Sequence, residues 1–211
     1  MKYDPNKHNR QSLRLKGYDY SLCGAYFITM CVQNRECIFG NIENGKMILN
    51  DAGKMVDLWW QKLGDKFINV GIDEYIIMPD HMHGVIFIYD GETGQTQRSA
   101  PTDLNSTNSV STDSIFKDIE ENKCIAGENK CVVGANQCVR PNVPKMVQWY
   151  KTMTTNEYIR NVKQKGWPPF NGKLWQRNYY EHIIRNDESL NRIIKYIANN
   201  PSAWVVDCRP K

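Results

Sequence analysis

At 211 residues, with 41% hydrophobic content, six Trp and eleven Tyr, the chain suits one domain with a substantial buried core and room for an insertion. No run reaches the roughly 20 apolar residues of a membrane span, Met1–His8 lacks a signal peptide's apolar stretch, and seven cysteines fit free thiols in a reducing compartment, so a soluble cytoplasmic protein with no membrane partner is expected. The net charge of +4 is uneven: residues 1–89 balance ten Lys/Arg with ten Asp/Glu, residues 90–140 hold five against eight, and residues 145–211 hold twelve against five, a basic and aromatic third suited to a polyanion or to plain solvation.

Tyr26-Phe27-Ile28-Thr29-Met30-Cys31-Val32 is aromatic and β-branched and reads as a central strand. Gly45 turns the chain into a short strand, Lys46-Met47-Ile48-Leu49. Asn50 or Asp51 caps a helix predicted to reach about Lys66, with Met55, Leu58, Trp59 and Leu63 as its apolar face. Asn69 to Met78 gives a second core strand. Pro79-Asp80 then turns the chain into an antiparallel strand from His81 to about Tyr89. Its run Val85-Ile86-Phe87-Ile88 does not alternate, which fits a strand covered on both faces.

Residues 90–142 change character. Gly, Ser, Thr, Asn and Asp dominate from Gly91 to Ser114, and a tandem heptad follows, carrying Cys124, Cys131 and Cys138. Structural zinc sites favour close cysteine pairs and four ligands, so zinc sensing by these cysteines ranks last among the readings. Glycine in every full copy excludes a coiled coil. The stretch is expected to be a flexible low-complexity insertion between residues 1–89 and 143–211, which together make one domain.

Order is expected to resume with a helix from Met146 to Lys165, its face made by Met146, Trp149, Tyr150, Met153, Tyr158 and Ile159, and ended by Gly166. Leu174 to Arg185 reads as a strand. A last helix starts at Asn186 as N-cap, with Asp187 and Glu188 at its positive end, and stops at Pro201. Leu190, Ile193, Ile194 and Ile197 form the stripe that docks it. The order predicts an α+β, ferredoxin-like split βαβ fold, an antiparallel sheet with helices packed on it.

His81 and His83 stand one residue apart on a strand, so both emerge on one face. They make half of a metal site, or simply two hydrogen-bonded histidines. Tyr196 and Asn200, four apart on the last helix, lie about 40° from one another at the margin of its apolar stripe. A helix lying across the sheet brings a phenol and a carboxamide towards the histidines, and the Asn200 amide oxygen is a possible third ligand. A phenol in water keeps its proton to about pH 10, so a nearby cation is what would make it a nucleophile. Equally, Tyr196 could simply pack and Asn200 close the helix.

Three motifs in order carry a resemblance: Met78-Pro79-Asp80-His81-Met82-His83-Gly84; Leu174-Trp175-Gln176-Arg177 with Tyr180-Glu181-His182-Ile183-Ile184-Arg185; and Tyr196-Ile197-Ala198-Asn199-Asn200-Pro201. With Arg14 to Tyr20 and Gln33-Asn34-Arg35, they make the chain similar to the REP-associated tyrosine transposases, of the single-tyrosine HUH superfamily. The resemblance spans residues 1–89 and about 143–204 and leaves out the insertion.

It implies that Tyr196 attacks single-stranded DNA, leaving a 5′-phosphotyrosine and a free 3′-OH for strand transfer. His81, His83 and Asn200 would hold Mg²⁺ or Mn²⁺, although two imidazoles by themselves suit Zn²⁺ or Mn²⁺ better. Family substrates are imperfect DNA hairpins flanked by short guide sequences. Arg14, Lys16, Arg177 and Arg185 are the DNA-binding candidates, with Tyr180 and His182 as second choices for nucleophile and ligand. A monomer or a homodimer is compatible with this reading. The alternatives are a catalytically silent hairpin-binding protein and a related HUH endonuclease.

Overall fold

The computed structural model describes residues 17–89 and 142–204. Arg14, Lys16, the heptad cysteines and all of the expected insertion except Asn142 lie outside the described residues. In chain order the elements are β1 (Gly24–Cys31), a 3₁₀ turn (Gln33–Arg35), β2 (Gly40–Glu43), β3 (Lys46–Leu49), α1 (Asp51–Lys66), β4 (Val70–Ile77), β5 (His81–Ile88), α2 (Val143–Lys165), β6 (Tyr180–Ile184) and α3 (Asp187–Ala203).

Four strands form one sheet in the order β4-β5-β1-β6, antiparallel throughout, while β2 and β3 make a separate hairpin. With the hairpin set aside, the connectivity is strand, helix, two strands, helix, strand. The last strand joins the sheet beside the first, which is the split βαβ pattern expected of an α+β fold.

Side-chain alternation gives the sheet two covered faces. Tyr26, Ile28 and Met30 of β1 and Met82, Ile86 and Ile88 of β5 share a core with Val56, Trp60 and Leu63 of α1 and Val147 and Tyr150 of α2. Ala25, Phe27, Val85 and Phe87 point the other way, to Leu190 and Ile197 of α3. Every residue of β5 is buried, which accounts for its unbroken apolar run. Gly84 belongs to this arrangement: a Cβ there would lie 2.4 Å from Trp60 Cζ2, so only glycine lets α1 close on the strand.

Both long helices differ from expectation in the face they bury. α1 turns Met55, Val56, Trp60 and Leu63 inward and leaves Leu58 56% exposed. α2 begins at Val143, capped by Asn142, and buries Thr154 and Asn161 where Met153 and Ile159 were expected. Thr154 has a polar reason to be inside, because its Oγ1 accepts from Trp175 Nε1 at 2.9 Å.

The expected strand from Leu174 shortens to Tyr180–Ile184. Leu174 and Trp175 are buried as an irregular segment, held by one bridge between Val32 and Trp175. α3 starts at its Asn186 cap but runs through Pro201 to Ala203. A proline in a final turn forfeits a single ladder bond and keeps a helical φ, so it need not stop the helix there. Cys31 keeps a free thiol, whereas Cys37 is disulfide-bonded, against the expectation of free thiols. Among the described residues no helix is long and apolar enough to cross a membrane.

Candidate active site

The site begins at the N-terminal end of β5. His81 and His83 emerge on the α3 side of the sheet, each about 4% exposed, with their Nε2 atoms 3.0 Å apart. Each ring is oriented through its other nitrogen. Asp80 Oδ1 accepts from His81 Nδ1–H at 2.6 Å, and Thr29 Oγ1 lies 2.7 Å from His83 Nδ1. Burial first, and then the charge of His81 and of Arg35, lower the His83 pKa to about 3. His83 is therefore a neutral imidazole at any ordinary pH.

Asp80 is buried and reaches two ways. Its second oxygen takes Arg35 Nε at 2.8 Å, and Arg35 also donates to Cys31 Sγ at 2.9 Å. Asn34 and Arg35 both have φ of 58°, a left-handed conformation uncommon for two successive non-glycine residues. These contacts hold that conformation in place and put the guanidinium beside the histidines.

α3 closes the other side. The Tyr196 hydroxyl lies 3.3 Å from His83 Nε2, with the two rings 5.1 Å apart. Phe27 forms the floor: it stacks on His83 at 5.5 Å and meets Tyr196 edge-on at 6.2 Å. Half of Tyr196 stays exposed, while Asn200 is buried. Both border an open cleft of about 480 Å³ with His81, Arg35, Arg192, Lys195 and Trp204, whose indole lies 5.2 Å from the His81 ring. The cleft thus presents three cations beside a phenol and the His81 imidazole, with His83 buried directly behind them, a surface suited to an anionic ester.

The donor set fits a divalent cation. Two ligands held about 2.1 Å from one centre at a right angle are about 3.0 Å apart, against about 3.4 Å at a tetrahedral angle. The Nε2 pair matches the first spacing. A neutral imidazole at His83, and two rings each oriented through its other nitrogen, favour such binding. Without a cation, the same distance accommodates an N–H···N bond whose direction depends on tautomer. Among the described residues no three His, Cys, Asp or Glu are arranged to hold a metal ion, because Asp80 is engaged on the far nitrogen of His81, so a third protein donor would have to be an oxygen such as that of Asn200 or Tyr196.

The other expected residues scatter. Tyr180 opposes Thr29 in register and its ring lies 6.4 Å from Phe27, so it borders the site from β6. His182, opposite Phe27, is exposed one pair further along the strand. Arg185 is exposed just beyond β6, and Arg177 lines a different cleft. The sequence reading missed Thr29, Arg192, Lys195 and Trp204, and gave Asp80 only a turn. Helical spacing carries a signal for two of them, since 192, 195, 196, 199, 200 and 203 form one stripe on α3.

Fold and site together define an α+β domain with a tyrosine–histidine cleft on one face of its sheet. The chain is 35% identical over 211 residues to an uncharacterized protein of Haemophilus influenzae (strain ATCC 51907 / DSM 11121 / KW20 / Rd), covering 98% of this chain and 96% of that one, and it belongs to the same family. No family model matches the sequence. Among solved structures, a REP-associated tyrosine transposase bound to a REP hairpin is similar with a TM-score of 0.47 and 14% identity, over 91% of this chain and 76% of that chain. A candidate transposase from Deinococcus radiodurans R1 is similar with a TM-score of 0.39 and 13% identity, over 88% and 95%.

Proposed function

We propose that the chain is a DNA strand transferase of the REP-associated tyrosine transposase type, in which Tyr196 attacks a phosphodiester of single-stranded DNA. The observation that carries this reading is the Tyr196 hydroxyl 3.3 Å from His83 Nε2, at the edge of a cleft bordered by Arg35, Arg192 and Lys195. The three sequence motifs support it independently.

In the attack, the Tyr196 oxygen bonds to phosphorus as the bond from phosphorus to the 3′-oxygen breaks. The phenolic proton passes to water in the open cleft, and the departing 3′-oxygen takes one up. A 5′-phosphotyrosine and a free 3′-OH result. Attack by another 3′-OH reverses the exchange, so ester bonds are conserved and rejoining needs no external energy. The three cations bind the phosphate oxygens, and Phe27 holds the phenol in line beside His83. Mg²⁺ or Mn²⁺ bound by His81, His83 and Asn200 would polarise the phosphate and favour the phenolate. A single chain brings all these groups together, so a monomer suffices and a homodimer is equally accommodated. The substrate on this reading is a single-stranded DNA hairpin.

The test is incubation of the protein with labelled hairpin DNA and Mn²⁺ or Mg²⁺, followed by a denaturing gel. A covalent adduct that disappears in Tyr196→Phe is expected. An adduct that persists in the variant overturns the assignment and moves attention to Tyr180. Cleavage without an adduct identifies a hydrolytic HUH endonuclease, and retention without cleavage a silent hairpin binder.

A further inference from the structure

Thr29 of β1 lies directly across from His83 of β5 in the antiparallel register, and its Oγ1 is 2.7 Å from His83 Nδ1. Among the described residues that hydroxyl makes no other hydrogen bond, so its hydrogen is free to turn towards the ring or away from it. The ring itself is not free to turn. Phe27 stacks on it with centroids 5.5 Å apart, and its Nε2 faces His81 Nε2 at 3.0 Å. Half a turn of the ring would put carbon atoms where both nitrogens now bond.

The ends of this row of groups settle where its protons sit. The Asp80 carboxylate, paired with Arg35, can only accept, so His81 carries a proton on Nδ1 and in its neutral form presents a lone pair at Nε2. His83, held neutral by burial, has one proton to place. Without a cation that proton belongs on Nε2, because two lone pairs would otherwise face each other at 3.0 Å. His83 Nδ1 is then bare, and Thr29 must donate to it. With a cation shared by the two Nε2 atoms, the same proton has to sit on Nδ1, and Thr29 must accept from it. The two states ask opposite roles of one oxygen. A hydroxyl fills both by rotating its hydrogen, whereas a carboxylate could only accept and an apolar group could do neither. The exchange moves a proton within His83, from Nε2 to Nδ1, and releases none. In neither state is His83 Nε2 open to the proton of Tyr196, whose oxygen lies 3.3 Å away, which leaves that proton to water.

We propose that Thr29 is a positioning residue of the active site, a two-way hydrogen-bond pivot that lets His83 exchange its metal-free tautomer for the one able to ligate a divalent cation. The inference rests on the reading of His81 and His83 as ligands of that cation. Thr29 acts only through His83, and this role accounts for a hydroxyl between Ile28 and Met30 on an inner strand of the sheet.

The test reads tautomer and metal separately, on the full chain at about pH 8, where an imidazole is ordinarily neutral. Long-range proton–nitrogen NMR of the metal-free protein should show His83 protonated on Nε2, and Zn²⁺, added as a diamagnetic probe, should move that proton to Nδ1. In calorimetric titration with Mn²⁺, Thr29→Val should bind about tenfold more weakly. The polarised N–H of a cation-bound ring loses a charge-assisted hydrogen bond in that variant, and the metal-free ring only a neutral one. Thr29→Ser restores the hydroxyl and should recover most of the loss. The inference is overturned, with the ligand reading intact, by a His83 proton on Nδ1 in the metal-free protein or still on Nε2 with Zn²⁺ bound. Unchanged Mn²⁺ affinity in Thr29→Val, or a Thr29→Ser as weak as Thr29→Val, overturns it equally. If Thr29→Val does not fold, the tautomer measurement on the unmodified protein decides. Absence of Mn²⁺ binding in the unmodified protein overturns the ligand reading and this inference with it.

Discussion

Asp80→Asn isolates the contact that ties the histidine pair to the cationic wall. The buried Asp80 carboxylate receives His81 Nδ1–H at 2.6 Å and Arg35 Nε–H at 2.8 Å. An asparagine keeps the shape and one acceptor, but sets an amide N–H against one of the two donors. Losing a charge-assisted hydrogen bond costs about 1.5–3 kcal/mol. Because the Arg35 side chain is 45% exposed, water can replace part of what it loses, which puts the expected cost near the low end, at about 1.5 kcal/mol. Urea unfolding should show that loss. A carboxylate behind a metal-binding imidazole is typically worth 10–100-fold in metal affinity. Calorimetric titration with Mn²⁺ should therefore show binding weakened by about that factor. Unchanged Mn²⁺ affinity beside a normal loss of stability would leave Asp80 a structural role only and refute the orienting argument. If neither quantity changes, the Asp80–His81 contact is not made.

Two further outcomes follow from packing and titration. Gly84→Ala drives a methyl group to within 2.4 Å of Trp60, which is fully buried in the core, and should destabilise the fold by about 1–3 kcal/mol in urea; an unchanged midpoint would mean that α1 does not close on β5 as described. Lys151, with its pKa pulled to about 8 by burial, carries fewer protons folded than unfolded between about pH 8 and its ordinary value of 10.5. Its contribution to stability rises with pH through that window, and its full cost is present below about pH 8. The stability of the unmodified protein relative to Lys151→Met should accordingly increase by something on the order of 3 kcal/mol between pH 7.5 and 10.5, and a constant difference would refute the burial of that charge.

What was legible in the sequence followed from local rules. Runs of β-branched and aromatic residues located β1 and β5, a period of 3.6 located α1 and α3, and asparagine side chains at 50 and 186 cap their helices by accepting from the amides three residues on. The helix faces were less legible, because aromatic residues sit on both sides of a helix whose neighbours are unknown. Trp59 and Trp60 are adjacent, yet Gly84 on another strand decides which of them goes inside. The end of β6 was misjudged for a similar reason: Leu174 and Trp175 look like strand residues because they are buried, but their burial comes from α2 and a single bridge to Val32.

The site shows the same division. The imidazole pair could be read from one short segment, because alternation alone puts His81 and His83 on one face. Its partners could not, because each belongs to a contact between distant segments. Thr29 reaches His83 through the β1–β5 register, and Arg35 reaches Asp80 from a left-handed turn. The placement of Tyr196 is itself a consequence of core packing. Leu190 and Ile197 are buried against Phe27, Val85 and Phe87, which fixes the rotation of α3 about its axis. Once that rotation is set, the adjacent stripe bearing Arg192, Lys195, Tyr196 and Asn200 can face only the histidine end of β5. The apolar stripe thus positions the phenol, and Phe27 serves both as the core residue that receives the stripe and as the floor on which His83 and Tyr196 meet.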